Sequence, residues 1–111
     1  MDDKDKKNLN RILEHAQYIL EETKEIKNAE DFIKNNDKSK AALFDLLQIG
    51  ELANNLSKEI MQELVSIPWN NVYNLRNRTV HGYASVDYEI IWETINNNIP
   101  FLIKELTKAL K

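Results

Sequence analysis

Residues 37–56, with the sequence DKSKAALFDLLQIGELANNL, carry apolar side chains on most sides of a helix. A helix that faces solvent has one apolar stripe, whereas a helix that is apolar all round is buried. We therefore predict that this stretch is the central helix of the fold, beginning near Asp37 or Ser39, since both are good N-caps. Gly50 within it costs roughly 1 kcal/mol relative to alanine, and we expect a close helix–helix approach to compensate.

Apolar residues at steps of three and four predict three more main helices around the central one. These helices cover residues 8–27, 68–82 and 87–110. A short turn of helix near Phe32 and a short helix over 57–65 are also expected. The predicted fold class is all-α: an antiparallel bundle of four main helices with one or two short extra helices, in a single domain over residues 1–111.

Glycine, proline and short polar residues set the expected ends of these helices. Pro68 is expected at the first position of the third main helix, and Gly82 at its C-terminal end. Asp87 or Ser85 should cap the last helix, and Pro100 should kink it.

The composition excludes several classes of protein. The chain has 111 residues with only two glycines and two prolines, too few for the many turns of an all-β sandwich or barrel. The absence of cysteine excludes a disulfide scaffold, a thiolate metal site and a cysteine nucleophile. No run approaches the ~18 apolar residues of a membrane span, and the N-terminus lacks the apolar core of a signal peptide. A cytoplasmic protein without a membrane partner is therefore expected.

The net charge of −3 means that any contact with nucleic acid must come from a local patch. Residues 75–83, LRNRTVHGY, are such a patch, because no acidic residue occurs between Glu63 and Asp87. Within that interval the only cationic or titratable basic residues are Arg76, Arg78 and His81. Arginine is scarce here, with three against twelve lysines, so its clustering is informative.

The spacing within this patch constrains how its residues can meet. Asn77 and His81 are four apart and should share one helix face, where the amide can orient the imidazole or bind a phosphate oxygen. Arg76 and His81 are five apart, which separates them by about 140° on an ideal helix. The two converge only if the helix unwinds near Gly82 or if a second protomer completes the site.

These residue types suit RNA cleavage without a metal ion. A neutral His81 can take the proton of a ribose 2′-OH as that oxygen attacks the adjacent phosphorus. The Arg76 guanidinium can hold the phosphoryl oxygens while negative charge builds. The leaving 5′-oxygen also needs an acid, and a symmetric dimer would supply a second copy of His81. Neither a metal site nor a cofactor is expected.

Structural roles for the same residues stay open at this stage. A histidine near a helix C-terminus often only caps the helix. Arg76 can equally cap carbonyl groups or stack on an aromatic ring. His15 is expected to be a surface or core-edge residue. The aromatic residues at helical spacing are expected to be core or dimer contacts: Trp69, Tyr73 and Trp92.

Residues 67–83, IPWNNVYNLRNRTVHGY, resemble the HepT-like branch of the HEPN superfamily. That branch carries an arginine, four intervening residues, a histidine, one residue and a tyrosine, which are Arg76, His81 and Tyr83 here. Asn77 also fits the pattern. The segments IGELA (49–53), VDYEIIWETI (86–95) and NIPFL (98–102) are similar too, so the resemblance spans nearly the whole chain.

The resemblance implies an all-α homodimer with a composite active site at the interface. It implies a ribonuclease toxin whose partner is a minimal nucleotidyltransferase antitoxin. That antitoxin silences the toxin by adding AMP to the motif tyrosine, here Tyr83. If a variant without the Tyr83 hydroxyl were still modified, Tyr88 would be the next candidate.

Our main hypothesis, a HepT-like ribonuclease toxin, assigns roles within the motif. His81 would be general base or acid, Arg76 the phosphate clamp, and Asn77 the orienting group with Arg78 in support. An alternative from another class is a non-catalytic helical module that docks a nucleotidyltransferase. A third interpretation is a helical dimer with no role in nucleic-acid chemistry.

Overall fold

The computed structural model describes residues 1–81 and 85–111, and these residues form eight helices and one short antiparallel hairpin. The prediction of an all-α bundle is confirmed. The helices are α1 (Asp3–Thr23), α2 (Ala29–Lys34), α3 (Asn36–Asn54), α4 (Lys58–Glu63), α5 (Trp69–Tyr73), α6 (Leu75–Thr79), α7 (Tyr88–Asn97) and α8 (Ile99–Ala109), and the strands are β1 (Val80–His81) and β2 (Ser85–Val86).

Helices α1 and α3 form an antiparallel pair at the centre of the bundle. Two polar contacts join the pair, and a third joins α1 to the residues that follow α3. In order along α1, the Ser57 backbone N–H donates to Asp5 Oδ1 at 3.0 Å, His15 Nδ1 lies 2.7 Å from Asp45 Oδ1, and Lys38 Nζ donates to Glu22 Oε1 at 3.0 Å. From one contact to the next, the residue numbers rise along α1 and fall along α3 and the residues after it. The two helices therefore run in opposite directions. His15 is therefore a core-edge residue that ties α1 to α3.

The helix over 37–56 is central, as predicted, because α3 packs against α1, α2, α5, α6 and α7. Its first residue is Asn36, and the cap is neither Asp37 nor Ser39. The side chain of Asn35 accepts from the Lys38 backbone N–H at 3.1 Å and so caps the helix. Ser39 is buried one turn inside.

Helix α1 begins at Asp3, five residues before the predicted start at Asn8. Hydrophobic periodicity could not show this because residues 2–7 are all charged. Two polar contacts extend the helix instead. Asp2 caps it by accepting from the Asp5 backbone N–H at 2.7 Å. The buried Asp5 carboxylate accepts from Ser57, the N-cap of α4.

The close approach expected at Gly50 is present between α3 and the C-terminal end of α5. A Cβ at Gly50 would lie 3.4 Å from the Val72 carbonyl oxygen and 3.6 Å from that of Tyr73. These distances are ordinary van der Waals contacts, so a methyl group fits at this position. The C-terminal carbonyl groups of α5 therefore lie directly against this point of the central helix.

Substitution at Gly50 should show a sharp dependence on size. Gly50→Ala is expected to match or exceed the stability of the parent, because the methyl group fits and alanine gains about 1 kcal/mol of helix propensity. Gly50→Leu should lose about 1–3 kcal/mol of unfolding free energy or more, since its branches must displace the α5 backbone. Urea unfolding measures both, with the exposed neighbour Glu51→Leu as control. A Gly50→Leu variant as stable as Glu51→Leu would contradict the close packing.

The prediction of one continuous helix over 68–82 is wrong. The chain forms α5, breaks at Asn74, forms α6, and turns into strand β1 at Val80. The break at Asn74 follows the two carbonyl groups that face Gly50. Pro68 precedes the first helical residue rather than occupying it, and Gly82 lies outside the described residues.

The helix predicted over 87–110 is divided at Asn98 into α7 and α8. Pro100 is the second residue of α8, where its missing N–H costs nothing, so it marks a new helix rather than a kink. Asp87 is the cap of α7, accepting from the Ile90 backbone N–H at 3.1 Å, whereas Ser85 belongs to β2. The helices expected near Phe32 and over 57–65 are α2 and α4.

Within the described part of the chain, no helix combines the length and the apolar character needed to cross a bilayer.

Candidate functional site

Helix α6 presents the first half of the positive patch to solvent. Leu75 and Thr79, four residues apart, face inward and are buried. The three residues between them, Arg76, Asn77 and Arg78, are exposed. Their exposure follows directly from the helix period, because the inward face of this short helix is already occupied.

The two arginines leave α6 on opposite sides of its buried face. Successive residues are about 100° apart on a helix, so Arg76 flanks one side of Leu75 and Arg78 the other, with Asn77 pointing outward between them. None of the salt bridges among residues 1–81 and 85–111 involves an arginine. The patch thus offers two separate guanidinium groups rather than one cluster.

The prediction that Asn77 and His81 share a helix face is wrong, because α6 ends at Thr79. His81 is the second residue of β1, and its backbone pairs with Ser85 of β2 in an antiparallel register. The β-branched Val80 is paired with Val86 in the same ladder, which favours the extended conformation over a continued helix. Arg76 and His81 therefore lie on different elements, and the 140° separation of an ideal helix does not apply.

A backbone hydrogen bond closes the base of this hairpin. The Asp87 N–H donates to the Thr79 carbonyl oxygen at 2.7 Å. The buried Thr79 hydroxyl donates to the Leu75 carbonyl oxygen at 2.7 Å, which fixes the last turn of α6. Since Asp87 also caps α7, the segment that carries His81 is anchored at both ends to helices of the core.

Tyr83, the expected site of modification, lies outside the described residues. Tyr88, the next candidate, is the first residue of α7, where it is half-buried and packs against the core.

The aromatic residues near the patch have core roles, as expected. Trp69 is buried and donates from Nε1 to the Leu64 carbonyl oxygen at 3.1 Å. Trp92 packs on Phe32 with ring centroids 5.2 Å apart. Tyr73 is partly buried against the same core.

A narrow apolar cleft lies beside Arg78, between α5–α6 on one side and the α7–α8 junction on the other. Sequence reasoning did not single out its residues Asn71, Asn98 and Phe101. One signal was available: Phe101 is out of phase with the buried residues Ile99 and Leu102 on α8, so a large apolar side chain is left at the surface. Among the described residues, no group of three or more histidine, aspartate or glutamate side chains is placed to hold a metal ion.

Comparison with known proteins gives a consistent result. The family model described as "Ribonuclease HepT-like" matches residues 12–109. A protein of Caldanaerobacter subterraneus subsp. tengcongensis named as a "Putative RNase" is 36% identical over 103 residues, covering 93% of this chain and 91% of that protein. A "Probable ribonuclease HepT" of Thermococcus cleftensis is 31% identical over 103 residues, covering 93% of each chain.

An archaeal relative extends this similarity. A "Putative RNase" of Methanocaldococcus jannaschii is 32% identical over 100 residues, covering 90% of this chain and 82% of that protein. No solved structure matches the chain.

Proposed function

Because the chain belongs to the HepT-like ribonuclease family, we propose that it is a metal-independent endoribonuclease and the toxin of a toxin–antitoxin pair. The observation that supports the proposal is where the fold places the motif residues. Arg76 stands exposed on α6, and His81 follows on a hairpin anchored to the same helix by the Thr79–Asp87 hydrogen bond. The stretch from residue 64 to 86 contains no carboxylate that would repel RNA phosphate.

The reaction begins at the ribose 2′-OH. His81 removes its proton, the 2′-oxygen attacks the adjacent phosphorus, and the bond from phosphorus to the 5′-oxygen breaks. Arg76 holds the equatorial phosphoryl oxygens, where charge is greatest in the transition state, and Asn77 beside it helps to orient the phosphate. The products are a 2′,3′-cyclic phosphate and a 5′-hydroxyl end.

The leaving 5′-oxygen must receive a proton, and one imidazole cannot give and take a proton at the same time. We therefore propose a symmetric homodimer in which both copies of His81 face one cleft. One copy acts as base and the other as acid. We do not assign the acid role to His15, because it lies on α1 with its Nδ1 2.7 Å from Asp45 Oδ1 of α3, outside the segment that carries the motif.

Cleavage should persist in the presence of a strong chelator and should leave 2′,3′-cyclic phosphate ends. The 2′-OH supplies the nucleophile and the protein supplies the charge, so no metal-bound water is required. The experiment treats RNA with purified protein in excess EDTA and analyses the ends by mass spectrometry. Matched RNA with 2′-O-methyl groups at the cleaved positions serves as the control and should stay intact. Loss of activity with chelator, or cleavage of the methylated RNA, would contradict the mechanism.

We further propose that Tyr83 is the point of control, and that the partner is a minimal nucleotidyltransferase. In that step the phenol oxygen forms a bond to the α-phosphorus of ATP, pyrophosphate leaves and the phenol proton passes to solvent. The added AMP would bring a phosphate to the arginine-bearing patch and occupy charge that RNA needs. A phenol with a pKa near 10 is a poor base at neutral pH, so Tyr83 is not assigned to proton transfer.

Tyr83→Phe is expected to keep ribonuclease activity and to escape silencing by the nucleotidyltransferase. The measurement is the mass increase of one AMP on co-expression, together with growth of the host cells. Tyr88→Phe is the matched control and should still be silenced. If Tyr83→Phe is as inactive as a variant without His81, then Tyr83 is catalytic or structural. If it is still modified and silenced, another residue is the target.

A further inference from the structure

The cleft beside Arg78 has the shape and lining of a subsite for part of a larger ligand. Its interior measures about 40 Å³, enough for a few water molecules. Buried apolar side chains form its floor, among them Leu75, Ile99 and Leu102. Leu75 belongs to α6, so the cleft begins on the helix that also carries Arg76 and Arg78.

An aromatic ring stands at the mouth of this cleft. Phe101, two residues after Ile99 on α8, is 42% exposed and lines the cleft. Exposure of so large an apolar ring forgoes the stabilisation that burial would provide. A flat ring held at the edge of an apolar cleft is the arrangement on which single-stranded nucleic acids stack their bases.

The polar groups around the ring match a nucleotide. Asn71 and Asn98 line the cleft and are exposed, and their amides can both donate to and accept from the edge of a base. Arg78 also lines the cleft, and it is the one charged residue among the described lining residues. None of the described lining residues is acidic. The charge therefore favours an anionic occupant.

We propose that this cleft binds one nucleobase of the RNA substrate, next to the scissile phosphate. The base stacks on Phe101 with one edge toward the cleft, because the interior is too small for a whole base to enter. Arg78 binds the phosphate of that nucleotide, while Arg76, on the opposite side of α6, holds the scissile one. The inference rests on the proposed ribonuclease function and assigns different phosphates to the two arginines.

The test combines a change in the protein with a change in the RNA. A short RNA with one cleaved bond is prepared in versions that lack a single base at each neighbouring position. Phe101→Ala should raise the KM for the complete RNA about five- to 160-fold, the range expected when alanine replaces one aromatic side chain that stacks on a base. On the RNA that lacks the bound base, Phe101→Ala should act like the parent protein. Phe101→Trp should retain a low KM.

Phe44→Ala is the matched control, because Phe44 is 58% exposed on α3, where its ring packs on the edge of His15. It should leave the KM unchanged. Circular dichroism of Phe101→Leu, which keeps apolar bulk and loses the ring, separates stacking from folding: a folded Phe101→Leu with a raised KM supports the subsite.

The outcomes that overturn the inference are distinct from one another. A parent protein as inactive on RNA as His81→Ala removes the ribonuclease function, and the subsite with it. An active parent whose KM is unchanged in Phe101→Ala removes the subsite alone. If Phe101→Ala instead disrupts the dimer or the binding of the nucleotidyltransferase, with the same KM for RNA, the cleft is a protein contact and the inference is wrong.

Discussion

His81→Ala is expected to lower the rate of RNA cleavage by about 10²–10⁴-fold, the usual contribution of a positioned acid or base. The effect should be the largest of any single substitution, because both copies of His81 are lost in the dimer and each has its own proton to move. Toxicity on expression should vanish with the activity. The matched control is His15→Gln, which keeps a donor for Asp45 and alters the only other histidine.

Mixed dimers make this result more informative. If both copies of His81 serve one cleft, a dimer with one parent and one His81→Ala subunit is inactive. An equal mixture of exchanged subunits then keeps about a quarter of the parent activity, since a quarter of the dimers carry two intact subunits. Retention of half the activity would indicate independent sites. Toxicity that persists in His81→Ala would favour the non-catalytic module that docks a nucleotidyltransferase.

Hydrophobic periodicity was sufficient to predict the helices that bury a continuous apolar surface. The central position of α3 and the close contact at Gly50 follow from the apolar residues around its middle. The start of α1 was missed because Asp2 and Asp5 extend it through hydrogen bonds, one of them to Ser57, 52 residues away. A contact of that sequence separation leaves no periodic signal.

The predicted third helix was wrong for a different reason. Residues 69–80 keep a helical spacing of apolar side chains, so the pattern predicts one helix. The helical course ends at Val80 because this β-branched residue pairs with Val86 in the short hairpin. At Asn98 the same spacing runs unbroken through two helices, and only Pro100 hinted at the boundary.

The candidate site was located by composition more than by geometry. The absence of acidic residues between Glu63 and Asp87 identified the patch, and the resemblance to the HepT-like family selected Arg76, His81 and Tyr83 within it. The assumed shared face of Asn77 and His81 was wrong because it required a helix that ends two residues before His81. The cleft at Phe101 joins segments about 20 residues apart, so spacing within one helix could not reveal it.

Arg76→Ala is expected to lower kcat by about 10²–10³-fold, the range for removal of one group that stabilises developing charge. Arg76→Lys should recover part of this loss, since it restores the charge but not the two parallel hydrogen bonds of a guanidinium. The measurement is steady-state cleavage of one short RNA at fixed salt, because phosphate contacts are salt-dependent. Arg11→Ala, at the only arginine outside the patch, is the control and should match the parent.

The contrast with Arg78→Ala decides whether the two arginines have separate roles. A group that binds the phosphate equally in the ground state and the transition state changes KM and leaves kcat unchanged. Arg78 borders the Phe101 cleft on the far side of α6, so its loss should raise KM. Arg76 acts on the phosphorus that changes its bonding, so its loss should appear in kcat. Equal effects of both substitutions on kcat would mean that the two guanidinium groups hold the same phosphate, and would contradict their separate roles.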